Sequence, residues 1–182
     1  MRNLATVEST ETNGGKNSNL KTIEMMKKIA RKESGDPSIR QLAINILNNK
    51  KTRSHQYLDE AQAIAEWVQG AIPYVKDANG IEQIHSPIMI IKKIQAGDTF
   101  RGDCDDMALM LATLLLAIGH KPFFKCVRFK TTDPKACYNH IYVVEKTHNY
   151  PFKPVVLSMD CIHKDKNIGY EANSKSSDLF EV

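Results

Sequence analysis

Residues 104–118, CDDMALMLATLLLAI, carry helical periodicity and are apolar on almost every side. Met107, Leu111, Leu114, Leu115 and Ile118 make one stripe, while Ala108, Leu109 and Met110 fill most of the remaining circumference. Such a helix has no face to offer water, so the chain must surround it with other layers. Gly119 follows as its C′ stop. At 182 residues, 42% hydrophobic and 25% charged, the chain can build one domain with a sizeable core and is short for two.

The remaining elements are read around that helix. Residues 1–19 are polar, rich in Thr, Asn, Ser and Gly, with no apolar period, and are expected to form a flexible tail. Leu20, Ile23, Met26 and Ile29 have helical spacing, and Asp36-Pro37-Ser38 opens a second helix through Ile39, Leu42, Ile46 and Leu47, predicting an N-terminal helical layer over 20–50. A third helix begins near Leu58 and ends at Gly70, with Trp67, the only tryptophan, expected to pack in the core. A strand-like segment follows with a turn at Asp77-Ala78-Asn79-Gly80, and Ser86 and Pro87 start a short helix over 87–96 that Gly97 stops.

After Gly119 the period changes to two. Phe123, Lys125, Val127 and Phe129 alternate with Phe124, Cys126, Arg128 and Lys130, and 139–145 and 155–160 form two further strand-like runs. The expectation is an α+β fold in which an antiparallel meander packs on the buried helix. The core domain spans 20–162, with its central part at 58–162, and residues 163–182 are expected to form an irregular C-terminal tail.

Composition removes several function classes. The net charge of +4 is mild and its basic residues are scattered, with no aromatic-interleaved basic stripe, so no nucleic-acid partner is expected. There is no run of 18 apolar residues and no apolar signal-peptide segment near the N-terminus, so neither membrane nor export is expected and the location reads as cytoplasmic. Cys104, Cys126, Cys137 and Cys161 are too sparse for a disulfide scaffold.

Chemistry concentrates at the start of the buried helix. Cys104 sits in its first turn, where unpaired backbone N–H groups and the positive end of the helix dipole favour a thiolate. Asp103, Asp105 and Asp106 oppose this by repulsion, so an imidazolium nearby is the natural counterweight. His140 lies in the strand-like YNHIYVV, 36 residues on, and Asp160 ends VVLSMD after another 20. An acidic residue at the inner end of an apolar strand needs a partner. If the strands are neighbours, Asp160 can take the Nδ1–H of His140 and so present Nε2 to Cys104. The order Cys104, His140, Asp160 is the one a cysteine hydrolase needs, and no cofactor or metal is called for.

Two metal readings use some of the same residues. Cys137-x-x-His140 with Cys161-x-His163 offers two sulfurs and two nitrogens for zinc, although the spacing is not that of knuckle-like turns. Asp103, Asp105 and Asp106 could suggest calcium, but the glycine and distal glutamate of an EF-hand are absent.

The pattern resembles the transglutaminase-like superfamily of papain-like cysteine enzymes, in its prokaryotic and phage-associated branch. GDCDDMALMLATLLLAIG is similar to the nucleophile motif, YNHIYVVE to the histidine strand, LSMDC to the aspartate strand, and AEWVQGAIPYVKD to the segment before the nucleophile. The resemblance implies a nucleophile helix on an antiparallel sheet, with Cys104 as nucleophile, His140 as base and Asp160 as orienter. It implies hydrolysis of a peptide or isopeptide bond in a peptide or protein substrate through a Cys104 thioester, with amine transfer as a lesser version. The side-chain oxyanion donor is unassigned, with Gln83 and His85 as candidates. The phage-associated branch and the polar tails also leave room for a structural or interaction protein, incorporated in a virion or another large assembly.

Overall fold

The computed structural model describes residues 7–11, 16–53, 55–76, 81–148, 154–163 and 165–182. In chain order the elements are β1 (Val7–Glu11), α1 (Lys16–Glu33), α2 (Pro37–Lys50), α3 (Tyr57–Ala71), β2 (Ile81–His85), α4 (Pro87–Gln95), α5 (Cys104–Ala117), β3 (Pro122–Arg128), β4 (His140–His148), β5 (Pro154–Met159) and β6 (Ser176–Glu181). The fold is α+β. Helix α5 is the predicted all-apolar helix, and from Asp105 to Ala117 every residue except Leu116 is buried. Helices α1, α2, α3 and α4 touch it on its several sides, and strands β3 and β4 close the remainder.

Local chemistry sets the ends of these helices. Asp103 caps α5, its carboxylate accepting from the backbone N–H groups of Asp105 (3.0 Å) and Asp106 (3.3 Å). Gly119 stops it at φ +90°, where a side chain would be strained, and the N–H groups of Gly119 and His120 return to Leu116 and Leu115. Asp36 caps α2 through the Ser38 N–H at 2.8 Å, and Ser86 caps α4, each with proline at the first helical position.

The main sheet has the order β5-β4-β3-β6 and is antiparallel throughout. β3, β4 and β5 are the expected meander. On the face turned to α5, Phe124, Cys126, Ile141, Val143, Leu157 and Met159 join the core, whereas Val127, Tyr142 and Val144 form a small second cluster. Trp67 is half-buried against the core, as expected.

Both expected tails contain regular structure. β1 pairs antiparallel with β2, Val7 opposite His85, and α1 begins at Lys16. β6 adds an edge strand to β3, Phe124 opposite Phe180. The tails expected over 1–19 and 163–182 are corrected accordingly. An edge strand draws its stability from a backbone ladder and buries one row of side chains at most, so it needs no apolar period. The turn at 77–80 falls outside the described residues; before it, Tyr74 forms an isolated parallel bridge with Gly102.

Two buried polar side chains tie the layers together. His120, just beyond α5, contacts Glu145 of β4 through Nδ1 (2.8 Å) and Glu60 of α3 through Nε2 (3.0 Å). Burial opposes its charge, but Glu145 and then Glu60 outweigh burial and hold its pKa above the ordinary histidine value. Arg128, 1% exposed, donates from Nε to Ala136 O (2.9 Å) and from Nη2 to Pro134 O (3.2 Å), and pairs with Asp178 of β6 at 3.0 Å. Its guanidinium also lies over the Tyr138 ring at 4.2 Å. Arg128 thereby fastens the 129–139 connection, which leads directly into His140.

Candidate active site

Three elements bring the candidate residues to one place. Cys104 is the first residue of α5, His140 the first of β4, and Asp160 follows the last residue of β5. Since β4 lies beside β5, His140 and Asp160 meet across the sheet, Nε2 to Oδ2 at 2.8 Å. Both side chains are buried, 5% and 1% exposed. The Ile162 N–H donates to the other Asp160 oxygen at 3.3 Å, fixing the carboxylate. Phe129 stacks on the imidazole with ring centres 6.1 Å apart, and Tyr142 flanks it at 5.6 Å.

The pairing uses the opposite nitrogen from the one expected. Asp160 engages Nε2, so Nδ1 is the nitrogen left to act on a thiol. Asp160 reaches the ring from the end of the neighbouring strand β5, a position that the residue order alone does not specify.

Cys104 and His140 line one cleft of about 110 Å³, together with Asn19, Thr22, Ile23 and Met26 of α1, Asp105, Cys126, and the residues around His140. No hydrogen bond joins Cys104 to His140 among the described residues. The thiol donates to Asp105 Oδ1 at 3.5 Å, while the Ile141 backbone N–H approaches its sulfur. Burial pushes the thiol well above its ordinary pKa, Asp105 and Asp103 add to the shift, and the Ile141 N–H opposes it. The expected lowering by the helix terminus is therefore outweighed in this resting arrangement. Cys126 and Cys161 are buried thiols also pushed upward, chiefly by burial.

The metal readings do not survive the geometry. Cys161 Sγ points to Ala65 O at 3.5 Å, and among the described residues Cys137, His140, Cys161 and His163 do not converge. Asp103, Cys104 and Asp105 do come together, but Asp106 turns away to His85, accepting from its backbone N–H (2.9 Å) and contacting Nδ1 (3.0 Å). The three carboxylates thus form no common cage, because one caps the helix and another clamps β2 to it.

Gln83 and His85 are not among the residues that line the cleft; His85 is held by Asp106 and packs edge-on to Phe100. Sequence reasoning missed α1 as a wall of the cleft. The apolar spacing of Ile23 and Met26 marks them as core, but nothing local says that the same helix turn borders a thiol.

No family model matches the chain, and no curated protein matches it. Among solved structures it is similar to a "Putative Cysteine Protease" from Cytophaga hutchinsonii, at 15% identity and a TM-score of 0.45. The alignment covers 79% of this chain, which spans about 40% of the length of that protein. Among the described residues, no helix is long and apolar enough to cross a membrane.

Proposed function

We propose that the chain is a cysteine-dependent acyl-transfer enzyme of transglutaminase-like, papain-like type, hydrolysing a peptide or isopeptide bond through a Cys104 thioester. The observation that carries the proposal is the buried His140–Asp160 pair, 2.8 Å apart, at a cleft shared with Cys104. A carboxylate held on Nε2 fixes the orientation of the ring, the orienting role a nucleophile's base requires.

Catalysis begins with rotation of the Cys104 side chain from Asp105 toward His140. The thiol proton passes to Nδ1 as sulfur attacks the substrate carbonyl, forming the S–C bond and a tetrahedral oxyanion. Collapse breaks the C–N bond, and His140 returns the proton to the leaving amine. His140 then takes a proton from water, whose oxygen attacks the thioester; the C–S bond breaks, the acid leaves and the thiol is restored. An amine in place of water gives transfer instead of hydrolysis.

Reaction with p-nitrophenyl acetate tests the proposal without knowledge of the natural substrate. Mass spectrometry is expected to find the acetyl group on Cys104, with the rate about 10³-fold lower in His140→Ala. Equal rates in wild type and His140→Ala, or acetylation no faster at Cys104 than at Cys137, overturn it. The thiol's bond to Asp105 and its raised pKa favour a second reading, an interaction module with a silent site. That reading expects the equal rates.

A further inference from the structure

We infer that Asn19, on the first turns of α1, supplies the side-chain amide that stabilises the oxyanion; this rests on the acyl-transfer reading. Attack at Cys104 places a negative charge on the former carbonyl oxygen, and the cleft must meet it with donors held in position. Besides Asn19 and Thr22, whose buried hydroxyl also lines it, the cleft offers few. Asp105 has the wrong charge, the Tyr138 hydroxyl is spent on Asp178 at 2.7 Å, and Gln83 and His85 lie elsewhere. Asn139 is exposed to water on the His140 side, where a donor is weakened by solvent.

Asn19 differs on each count. It is half-buried and lies on the α1 side of the cleft. Its Oδ1 accepts the Tyr138 backbone N–H at 3.2 Å, which fixes the amide plane and identifies Nδ2 as its remaining hydrogen-bonding group. Nδ2 makes no hydrogen bond among the described residues, so two N–H hydrogens remain for a ligand. The helix below is rigidly seated: Ile23, Met26 and Ala30 are core residues, and Glu33 at its other end accepts from Ser86 Oγ (2.7 Å) and Ile88 N (2.9 Å). A donor on such a base costs little reorganisation when charge develops, and the Cys104 backbone N–H at the start of α5 is its natural companion.

Two reagents separate this role from a structural one. p-Nitrophenyl acetate reacts through a tetrahedral oxyanion, forming S–C and releasing p-nitrophenolate. Iodoacetamide alkylates by direct displacement of iodide, with no oxyanion. Asn19→Ala and Asn19→Asp are therefore expected to lower the ratio of acetylation to alkylation at Cys104 by about 10²-fold. Asn19→Asp keeps an oxygen to accept the Tyr138 N–H, so a purely structural Asn19 would leave that variant's ratio at the wild-type value, which overturns the inference. A ratio lowered by Thr22→Val or Asn139→Ala, but not by either Asn19 variant, overturns it as well. If wild-type Cys104 is not acetylated at all, the acyl-transfer reading falls and this inference with it; an acetylated wild type with unchanged Asn19 ratios removes this inference alone.

Discussion

Cys104 donates its thiol hydrogen to Asp105, its own neighbour on α5, at 3.5 Å, and not to His140. The carboxylate both holds the sulfur and repels the thiolate, second only to burial in raising the thiol pKa. Asp105→Asn removes that charge. The alkylation profile of Cys104 against pH is expected to move to lower pH, and because the thiolate is the reacting form, alkylation at neutral pH should quicken by roughly the factor by which the thiolate population grows. An unmoved profile would mean that burial alone sets the thiol.

Removing the orienting carboxylate tests the other end of the site. Asp160→Asn preserves shape but replaces the acceptor on His140 Nε2, so the acetylation rate should fall about 10³-fold or more. Thermal melting should change little, since the amide can still hydrogen-bond. A wild-type rate in this variant would remove Asp160 from the mechanism.

His120 predicts a pH dependence of stability. Its folded pKa lies above the ordinary value of 6.5, so the folded state binds the proton more tightly than the unfolded chain. The stabilisation is fully present below that value and is lost as pH rises through the raised folded pKa. Melting temperatures measured from pH 6 upward should therefore decline across this window, and His120→Gln should flatten the decline. Glu145→Ala, which leaves buried His120 with Glu60 as its one carboxylate partner, should cost about 3–5 kcal/mol by denaturant unfolding at a pH below 6.5.

Gly102 is required for space. A Cβ there would lie 2.7 Å from Asp106 Oδ2 and 2.8 Å from Asp106 Cβ, and Asp106 is fully buried and committed to His85. Gly102→Ala should destabilise by about 1–3 kcal/mol. Chemical denaturation measures the loss, and a variant as stable as wild type would show that the β2–α5 clamp can yield.

Legibility varies with how local each feature is. The buried helix announces itself because Met107 to Leu115 leave no polar face, and the caps at Asp36 and Ser86 lie beside the turns they start. SSDLFE does not announce β6: Leu179 is exposed, and the strand is held by pairing with β3. Cys104, His140 and Asp160 are readable as an ordered set, but which imidazole nitrogen meets Asp160 depends on the direction of approach between strands. The Glu60–His120–Glu145 bridge joins residues 60 and 25 positions apart, a distance no local pattern encodes. Asn19 falls in a segment too polar to predict as helix.

The hydrogen bond from the Tyr138 N–H to Asn19 joins positions 119 residues apart. A contact of such long range carries a loop-closure entropy cost that a local helix does not. A nascent chain extended only as far as Cys104 holds the sulfur but neither the imidazole nor the carboxylate, and one wall of its cleft has nothing to fasten to. On the acyl-transfer reading, reactivity is thus timed by synthesis: the thiol stays unarmed until the ribosome has passed Asp160, and fragments ending earlier are inert.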